Sequence, residues 1–402
     1  MHNVLPLLPE EKTGLDAGFL AAFGGRPERY FSAPGRTEIS GNHTDHQRGC
    51  VLAAAVDLHT CAAAKPNGTQ QIRIQSKGYP LVEVMSTDLT PVEGEKNTTA
   101  ALVRGVAAGF SQLGCKVGGF DAYVESSVLP GSGLSSSAAF EVLMGTVINH
   151  LFYEGKATQP QVAQIGKYAE NVFFGKPSGL MDQMASAVGG MVHIDFGDKE
   201  NPVITPMQVD FSDYALCIID SGADHADLTD EYAAIPGEMQ AVCRYFGKEV
   251  LREVSEEEFY VNLPALRKQC GDRAVLRCIH IFEENRRVAK QVQALQGGDM
   301  ATFLALTKES GRSSWQYLQN VLCTGATKHQ AVAVALALCE KGLQGRGAYR
   351  VHGGGFAGTV QAFVPMDLVE SFREMMEKAL GKGACHILSV RPQGGVEMKE
   401  NC

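Results

Sequence analysis

The chain's 402 residues, 45% hydrophobic and 20% charged with a net charge of -9, exceed what one core usually fills and carry no dense Lys/Arg cluster, which predicts two domains and excludes a nucleic-acid groove. No uncharged stretch is long enough to span a bilayer, and residues 1–6 lack a secretory signal's basic start and apolar core, so a cytoplasmic protein without a membrane partner is expected. The 11 cysteines, odd in number and without a Cys-x-x-Cys pair, fit reduced thiols rather than disulfides or a zinc knuckle.

Residues 16–23 read as a short helix ended by Gly24-Gly25, and residues 29–33 as a strand closed by Pro34-Gly35. A dense polar run follows from Gly35 to Gly49, set between apolar strands at 30–33 and 51–56. Such a run is either a polar turn or, held by a rigid scaffold, a binding loop. Within it His43-Thr44-Asp45-His46 matches the tail of the metallohydrolase pattern His-x-His-x-Asp-His, but the first histidine of that pattern falls on Gly41. The remaining candidates, His59, His193, His225, His280 and His352, stand isolated without ligand spacing, so a dinuclear metal site is not expected.

Residues 71–75 alternate as a half-wet strand with a partner at 80–85, residues 98–113 form a helix ended by Gly114, and residues 120–125 alternate as another strand. Next comes Leu129-Pro130-Gly131-Ser132-Gly133-Leu134-Ser135-Ser136-Ser137-Ala138-Ala139, followed by Phe140, Val142, Leu143, Val147, Ile148 and Leu151 at helical spacing. A strand-to-helix loop with paired glycines and consecutive serines suits a phosphate group: glycine lets the backbone approach an anion, the helix start presents free N–H groups, and a serine oxygen can hold a phosphate-bound Mg²⁺. No Gly-Lys-Ser/Thr follows, so this is not a Walker A loop and it supplies no lysine.

Residues 161–174 read as an amphipathic helix with Glu170 beside its apolar face, and a third polar cluster spans 175–186. There Ser178 caps a helix whose first turn holds Asp182, which taken alone could simply complement the helix dipole. A strand at 191–195 closes the first domain, residues 201–210 connect to a strand at 215–220, and the mostly helical run 233–343, including the charged 283–290 segment and Trp315, carries little evident chemistry. Residues 348–364 form two strands across a glycine-dense bend, where the backbone is expected to approach a ligand or the serine loop. A helix at 366–380 and a strand at 385–390 complete a β-α-β pattern.

Together these clusters resemble the GHMP small-molecule kinases and, within them, the galactokinase family. Gly35, Arg36, Gly41, His43, Thr44 and Asp45 match the signature Gly-Arg-x-Asn-Leu-Ile-Gly-Glu-His-Thr-Asp. Residues 131–138 match Gly-x-Gly-Leu-Ser-Ser-Ser-Ala, Ala169-Glu170 with Gly179-Leu180-Met181-Asp182-Gln183 match the Ala-Glu and Gly-Ile-Met-Asp-Gln segments, and 353–358 match the glycine-rich third motif.

The resemblance implies a two-domain α+β GHMP fold, with a ribosomal-S5-like α/β domain over residues 1–200, a ferredoxin-like α+β domain over 201–402, and the active site between them. It implies ATP phosphates on Gly131, Gly133, Leu134, Ser135, Ser136 and Ser137, with Mg²⁺ near Ser137 and Glu170. Asp182 would meet the anomeric hydroxyl of the sugar, as general base or electrostatic partner, oriented by Arg36, while Asn42, His43, Asp45, Gly179 and Tyr232 would hold the sugar. The implied reaction is ATP-dependent formation of galactose 1-phosphate by a monomer, a weak homo-oligomer being the alternative.

Two departures bear on the substrate: Glu38 stands where the family has asparagine, and Asn42 where it has the glutamate at the sugar's hydroxymethyl end. Losing a fixed negative charge there leaves galacturonate, arabinose or N-acetylgalactosamine as alternatives, and a non-catalytic sugar sensor as another. Ala233-Ala234-Ile235-Pro236 also replaces the family's arginine-rich continuation after Tyr232.

Overall fold

The structure is a computed structural model that describes residues 5–128, 133–176, 178–198, 201–223, 228–356 and 358–400. The first part of the chain supplies β1 (Pro6–Leu7), α1 (Pro9–Phe23), β2 (Arg29–Ser40), β3 (Cys50–Pro66), β4 (Gln71–Ser76), β5 (Val82–Met85) and α2 (Thr99–Gln112). Then come β6 (Phe120–Ser126), α3 (Ser136–Phe152), α4 (Gln159–Tyr168), α5 (Met181–Val188), β7 (Met191–Asp195) and β8 (Val203–Met207).

After β9 (Tyr214–Asp220), a helical run holds α6 (Thr229–Tyr245), α7 (Glu256–Val261), α8 (Leu263–Cys270), α9 (Asp272–Gln296), α10 (Met300–Ser313) and α11 (Ala331–Leu343). The chain ends with β10 (Ala348–Val351), β11 (Thr359–Pro365), α12 (Val369–Leu380), β12 (Cys385–Leu388) and β13 (Val396–Glu400).

Two sheets organise these elements. The first runs β1-β13-β2-β3-β6-β4-β5, with β7 on β3 and β8 on β7, and the second runs β10-β11-β9-β12. Apolar side chains of the first sheet, among them Phe31, Val51, Ile72 and Phe120, pack against Val106, Phe110, Leu143, Val147 and Met184 of the helices α2 to α5. The second sheet is faced by α11 and α12 through Leu336, Cys339, Phe372 and Met376. A separate core of Ile39, Leu52, Leu216, Val288, Phe303 and Phe363 joins the two sheets and α9. Burial of this shared apolar surface fixes the relation of the sheets, since apolar area removed from water is the main favourable term in folding.

Strand β2 does not stop at Pro34 as expected. It passes two register shifts, at Pro34/Arg36 and Glu38/Ser40, and continues along β3 with Arg36 opposite Ala55, Thr37 opposite Ala54 and Glu38 opposite Ala53. The alanine run of β3 leaves room for these polar side chains, and the bulges absorb Pro34-Gly35 and re-aim Arg36. Of the predicted loop 35–49, the first half is therefore strand.

Strand β13 brings the chain back from the second sheet to the first, pairing parallel to β1 and antiparallel to β2. Arg29 grips it, donating from Nε and Nη2 to the two carboxylate oxygens of Glu397 at 2.6 Å each. The described cysteines are all free thiols, and among the described residues no helix is long and apolar enough to cross a membrane.

Candidate active site

The bulged end of β2 places Arg36 against the first turn of α5. Arg36 donates from Nε to Asp182 Oδ1 at 2.7 Å and from Nη2 to Oδ2 at 2.6 Å, a bidentate pair whose arginine side chain is 10% exposed and whose carboxylate is 29% exposed. Burial alone would raise the Asp182 pKa, but the Arg36 charge and hydrogen bonds, helped by Ser135 and Lys176, hold it below the ordinary carboxylate range. Asp182 is thus an ionised, oriented acceptor at neutral pH. Arg36 also donates from Nη1 to the Gly133 carbonyl, and its N–H donates to the Leu134 carbonyl at 3.0 Å, which ties the pair to the serine loop.

That loop enters α3 through Ser135, whose φ of 55° and lack of a side-chain cap leave the helix start without an internal acceptor. Ser136 and Ser137 form its first residues, and the helix carries no acid in its first turn. Such a start is suited to an anion. Gly133 has φ +73°, and a Cβ there would lie 2.7 Å from Thr359 Oγ1 and 3.1 Å from His352 Nδ1. The glycine-dense bend between β10 and β11 therefore does approach the serine loop. Gly131, expected to contact phosphate, lies outside the described residues.

Glu170 is delivered by a π-helical turn, Ala169–Phe174, that follows α4. An unbroken α-helix would aim the side chain elsewhere; the wider turn buries it to 3% exposure. Ser137 Oγ donates to Glu170 Oε1 at 3.5 Å, Ser178 Oγ and Gln183 Nε2 donate to Oε2 at 2.6 and 2.9 Å, and Lys176 Nζ lies 2.9 Å from Oε1. A carboxylate beside a serine hydroxyl is a hard oxygen set that fits Mg²⁺. Gln183 also donates to Glu141 Oε2 at 2.9 Å, and Glu141, raised well above the usual range by burial and then by the Glu170 charge, stands as the neutral member behind it.

On the other side of Asp182, the turn after β2 presents His43 with φ 60° and Asp45 in front of Gly179, where any Cβ would run into Asp45 Oδ2. His43 Nε2 lies 3.3 Å from the Gly354 carbonyl, and Tyr232 OH donates to the Gly355 carbonyl at 3.0 Å. Burial, reinforced by His46, pulls the His43 pKa down to about 4, so the ring is neutral. His43, Asp45, Gly179 and Tyr232 are thus linked through the 43–45 turn and the 353–355 bend. His43, Asp45 and His46 do not close into a metal-ligand cluster. Among the described residues the one compact histidine, cysteine and acid group is Glu11, His59 and Cys61, where His59 Nε2 already lies 2.8 Å from Glu11 Oε1.

Asn42 does not share that surface, contrary to expectation. It is 0% exposed, and its amide is fully used: Nδ2 donates to Gly353 O at 2.7 Å and Glu38 Oε1 at 3.1 Å, while Oδ1 accepts from Ser314 Oγ at 3.2 Å and Asn320 Nδ2 at 2.9 Å. Its place is to hold the turn after β2 against Ser314, Asn320 and Gly353. Glu38, 4% exposed, is paired with Arg350, and burial nonetheless raises its pKa.

The helical run that seemed chemically silent supplies the rest of this support. On α9, His280 Nε2 donates to the Asn42 carbonyl at 3.0 Å, and Glu284 Oε1 accepts from the N–H groups of Gly41 and Asn42 at 3.2 and 3.4 Å. Burial works against the Glu284 charge, but Arg287, His280 and Arg350 bring its pKa down to about 2. The signal was present as polar residues at 280, 284, 287 and 291, one stripe of a single helix.

Two family models match the chain: the GHMP kinases N-terminal domain at residues 101–190 and the galactokinase galactose-binding signature at residues 17–66. The second match contains Arg36, Asn42, His43 and Asp45, and the first contains the serine loop, Glu170 and Asp182. Among solved structures, Lactococcus lactis galactokinase complexed with galactose is 24% identical, with 96% of this chain and 99% of that one covered and a TM-score of 0.81. The Methanococcus jannaschii mevalonate kinase is 12% identical over 91% and 99% of the two chains, with a TM-score of 0.64. A D-glycero-D-manno-heptose 1-phosphate kinase from Bacteroides thetaiotaomicron is 14% identical over 93% and 100%, with a TM-score of 0.61. The fold is that of the GHMP kinases, and the two matched segments place Arg36 in a stretch similar to the galactokinase galactose-binding signature and Asp182 in one similar to the GHMP kinases N-terminal domain.

Proposed function

We propose that the protein transfers the terminal phosphoryl group of ATP to the anomeric hydroxyl of galactose, forming galactose 1-phosphate. The observation that carries this reading is the bidentate Arg36–Asp182 pair, set between an uncapped helix start on one side and the His43, Asp45 and Tyr232 cleft on the other. Phosphoryl transfer asks a protein for positioning and charge neutralisation more than for covalent chemistry, and each part of this arrangement supplies one of the two.

Galactose would lie in the cleft, its hydroxyls read by Asp45, His43 and Tyr232. Asp45 can accept from two adjacent hydroxyls, and so discriminate their stereochemistry. Asp182 accepts the hydrogen bond of the anomeric hydroxyl and lines its oxygen up with the phosphorus. Because Arg36 holds Asp182 below the usual carboxylate range, it is a weak base. The proton therefore passes to it late, once the hydroxyl has begun to bond phosphorus, and not in a prior step. Arg36 keeps the carboxylate aimed and spreads positive charge toward the transferring group.

The phosphate chain of ATP would rest on Gly133, Leu134, Ser135, Ser136 and Ser137 at the start of α3. Ser137 and Glu170 would hold Mg²⁺, which neutralises phosphate charge when bound. We place the domain boundary between β8 and β9, past the residue 200 expected from the sequence, with the tail strand β13 returning to the first domain, and assign the protein to the cytoplasm as a monomer.

The test is ADP release with ATP and Mg²⁺ against galactose, galacturonate, N-acetylgalactosamine, arabinose and glucose. Galactose is expected to be turned over best. A preference for another sugar would move the acceptor and keep the chemistry, and no ADP release with any sugar, in protein that binds ATP, would sink the kinase reading.

A further inference from the structure

Lys176 has no part in the reaction described so far, yet it stands where the reaction's charge must be handled. It follows directly on the π-helical turn that carries Glu170. The N–H groups of Gly175 and Lys176 donate to the Glu170 carbonyl at 3.0 and 3.1 Å, which fixes the Lys176 backbone. Its side chain, 56% exposed, is not held along its length, and its Nζ reaches back to Glu170 Oε1 at 2.9 Å. Burial works against its charge, but Glu170 first, then Asp182, keep the ammonium protonated. Lys176 is thus a cation paired with the carboxylate that would hold the metal.

Stability does not explain it. Glu170 already accepts from three neutral donors, Ser137, Ser178 and Gln183. A half-exposed ion pair added to these contributes little, while ordering a lysine side chain costs rotamer entropy. The serine loop itself brings no lysine, the flexible cation that often meets a polyphosphate.

We propose that Lys176 is a mobile phosphate-binding cation that pairs with Glu170 in the absence of nucleotide and turns to the phosphate chain of ATP once Glu170 is engaged by the divalent cation. This rests on the nucleotide reading given above. Lys176 then has two opposed effects: it adds a contact to the bound phosphates, and it competes with the metal for Glu170.

The experiment is calorimetric binding of ADP and AMP to the full chain across a Mg²⁺ titration, for the wild type, Lys176→Met and Lys176→Arg. At saturating Mg²⁺, Lys176→Met is expected to bind ADP roughly tenfold more weakly, the size of one lost charge-assisted hydrogen bond, with AMP much less affected. Its Mg²⁺ midpoint is expected to fall, because Glu170 is freed, and Lys176→Arg is expected to keep most of the ADP affinity. A merely structural ion pair would not move these two readouts in opposite directions. The proposal is overturned if ADP affinity and Mg²⁺ midpoint in Lys176→Met stay within about twofold of wild type, or if ADP and AMP weaken together. Lys176→Gln, read the same way, replaces the methionine variant should that one not fold. A wild type that binds neither nucleotide in Mg²⁺ would instead defeat the nucleotide reading itself.

Discussion

Asn42 donates its side-chain amide to Glu38 Oε1 at 3.1 Å. These are two of the positions at which the chain departs from the galactokinase signature, one carrying a carboxylate in place of an amide and the other the reverse. The exchange is therefore a compensated one: amide and carboxylate still face each other, and Arg350 neutralises the carboxylate where it now stands.

Asn42→Glu alone should consequently destabilise the protein rather than improve galactose use. The new carboxylate would face two acceptors, Glu38 Oε1 and the Gly353 carbonyl, in a site with no exposure. A cost of about 3–5 kcal/mol is expected. Adding Glu38→Asn should recover most of it, which chemical denaturation of the single and double variants would measure. Additive losses in the double variant would contradict the pairing.

Asp182→Asn should lower kcat by roughly 10²- to 10⁴-fold, the range set by loss of a positioned proton acceptor, with galactose and ATP affinity nearly kept. Steady-state kinetics together with equilibrium sugar binding separate the two effects. Parallel loss of binding would mean that Asp182 acts chiefly as a structural partner of Arg36.

Gly179→Ala tests the cleft from another direction. Its Cβ would push Asp45 away, so kcat/KM for the sugar should fall on the order of 10- to 100-fold, while KM for ATP moves far less. An equal rise in both Michaelis constants would show that the third polar cluster had collapsed as a whole.

The pH dependences have opposite reach for rate and stability. Asp182 is ionised and His43, with its pKa near 4, is neutral from about pH 5 to 8, so neither gives kcat a limb in that range. A kcat profile with an ionisation near 6.5 would show that His43 titrates. Stability behaves differently. His43 and His352, both depressed by burial, bind fewer protons folded than unfolded. Their contribution is full above about pH 6.5 and is lost as pH falls toward their folded values. Glu284, brought down to about 2, adds a further loss below the unfolded value of about 4.5. Thermal midpoints should therefore decline in two stages on acidification, and Glu284→Gln should shrink the lower one, leaving the part due to Asp182.

Much of the site was legible in the chain because its residues travel in short runs. Arg36, His43 and Asp45 lie within ten positions of one another, and the serine loop and the Asp182 segment carry their own glycines, although Ser178, expected to cap the Asp182 helix, bonds Glu170 and Asn171 instead. What was not legible depends on distance or on helix form. Nothing local tells that Glu284 will accept from the backbone of Gly41, nor that Arg350 will reach Glu38. Glu170 is aimed by a π-turn, which no residue pattern at 169–174 announces. Asn42 misled for a related reason: family position placed it at the sugar, whereas four hydrogen-bond partners, Glu38 on the preceding strand and Ser314, Asn320 and Gly353 far along the chain, seal it inside.

The return of β13 to the first sheet has a consequence for how the molecule is made. On the ribosome, β2 emerges early and finds β3 at once, but its other edge stays open until the whole second sheet has been synthesised. For that interval the nascent first domain exposes an unpaired strand edge, the feature that invites mispairing with another chain. Closure comes with Glu397 reaching Arg29. The first domain to be translated is thus the last to be finished.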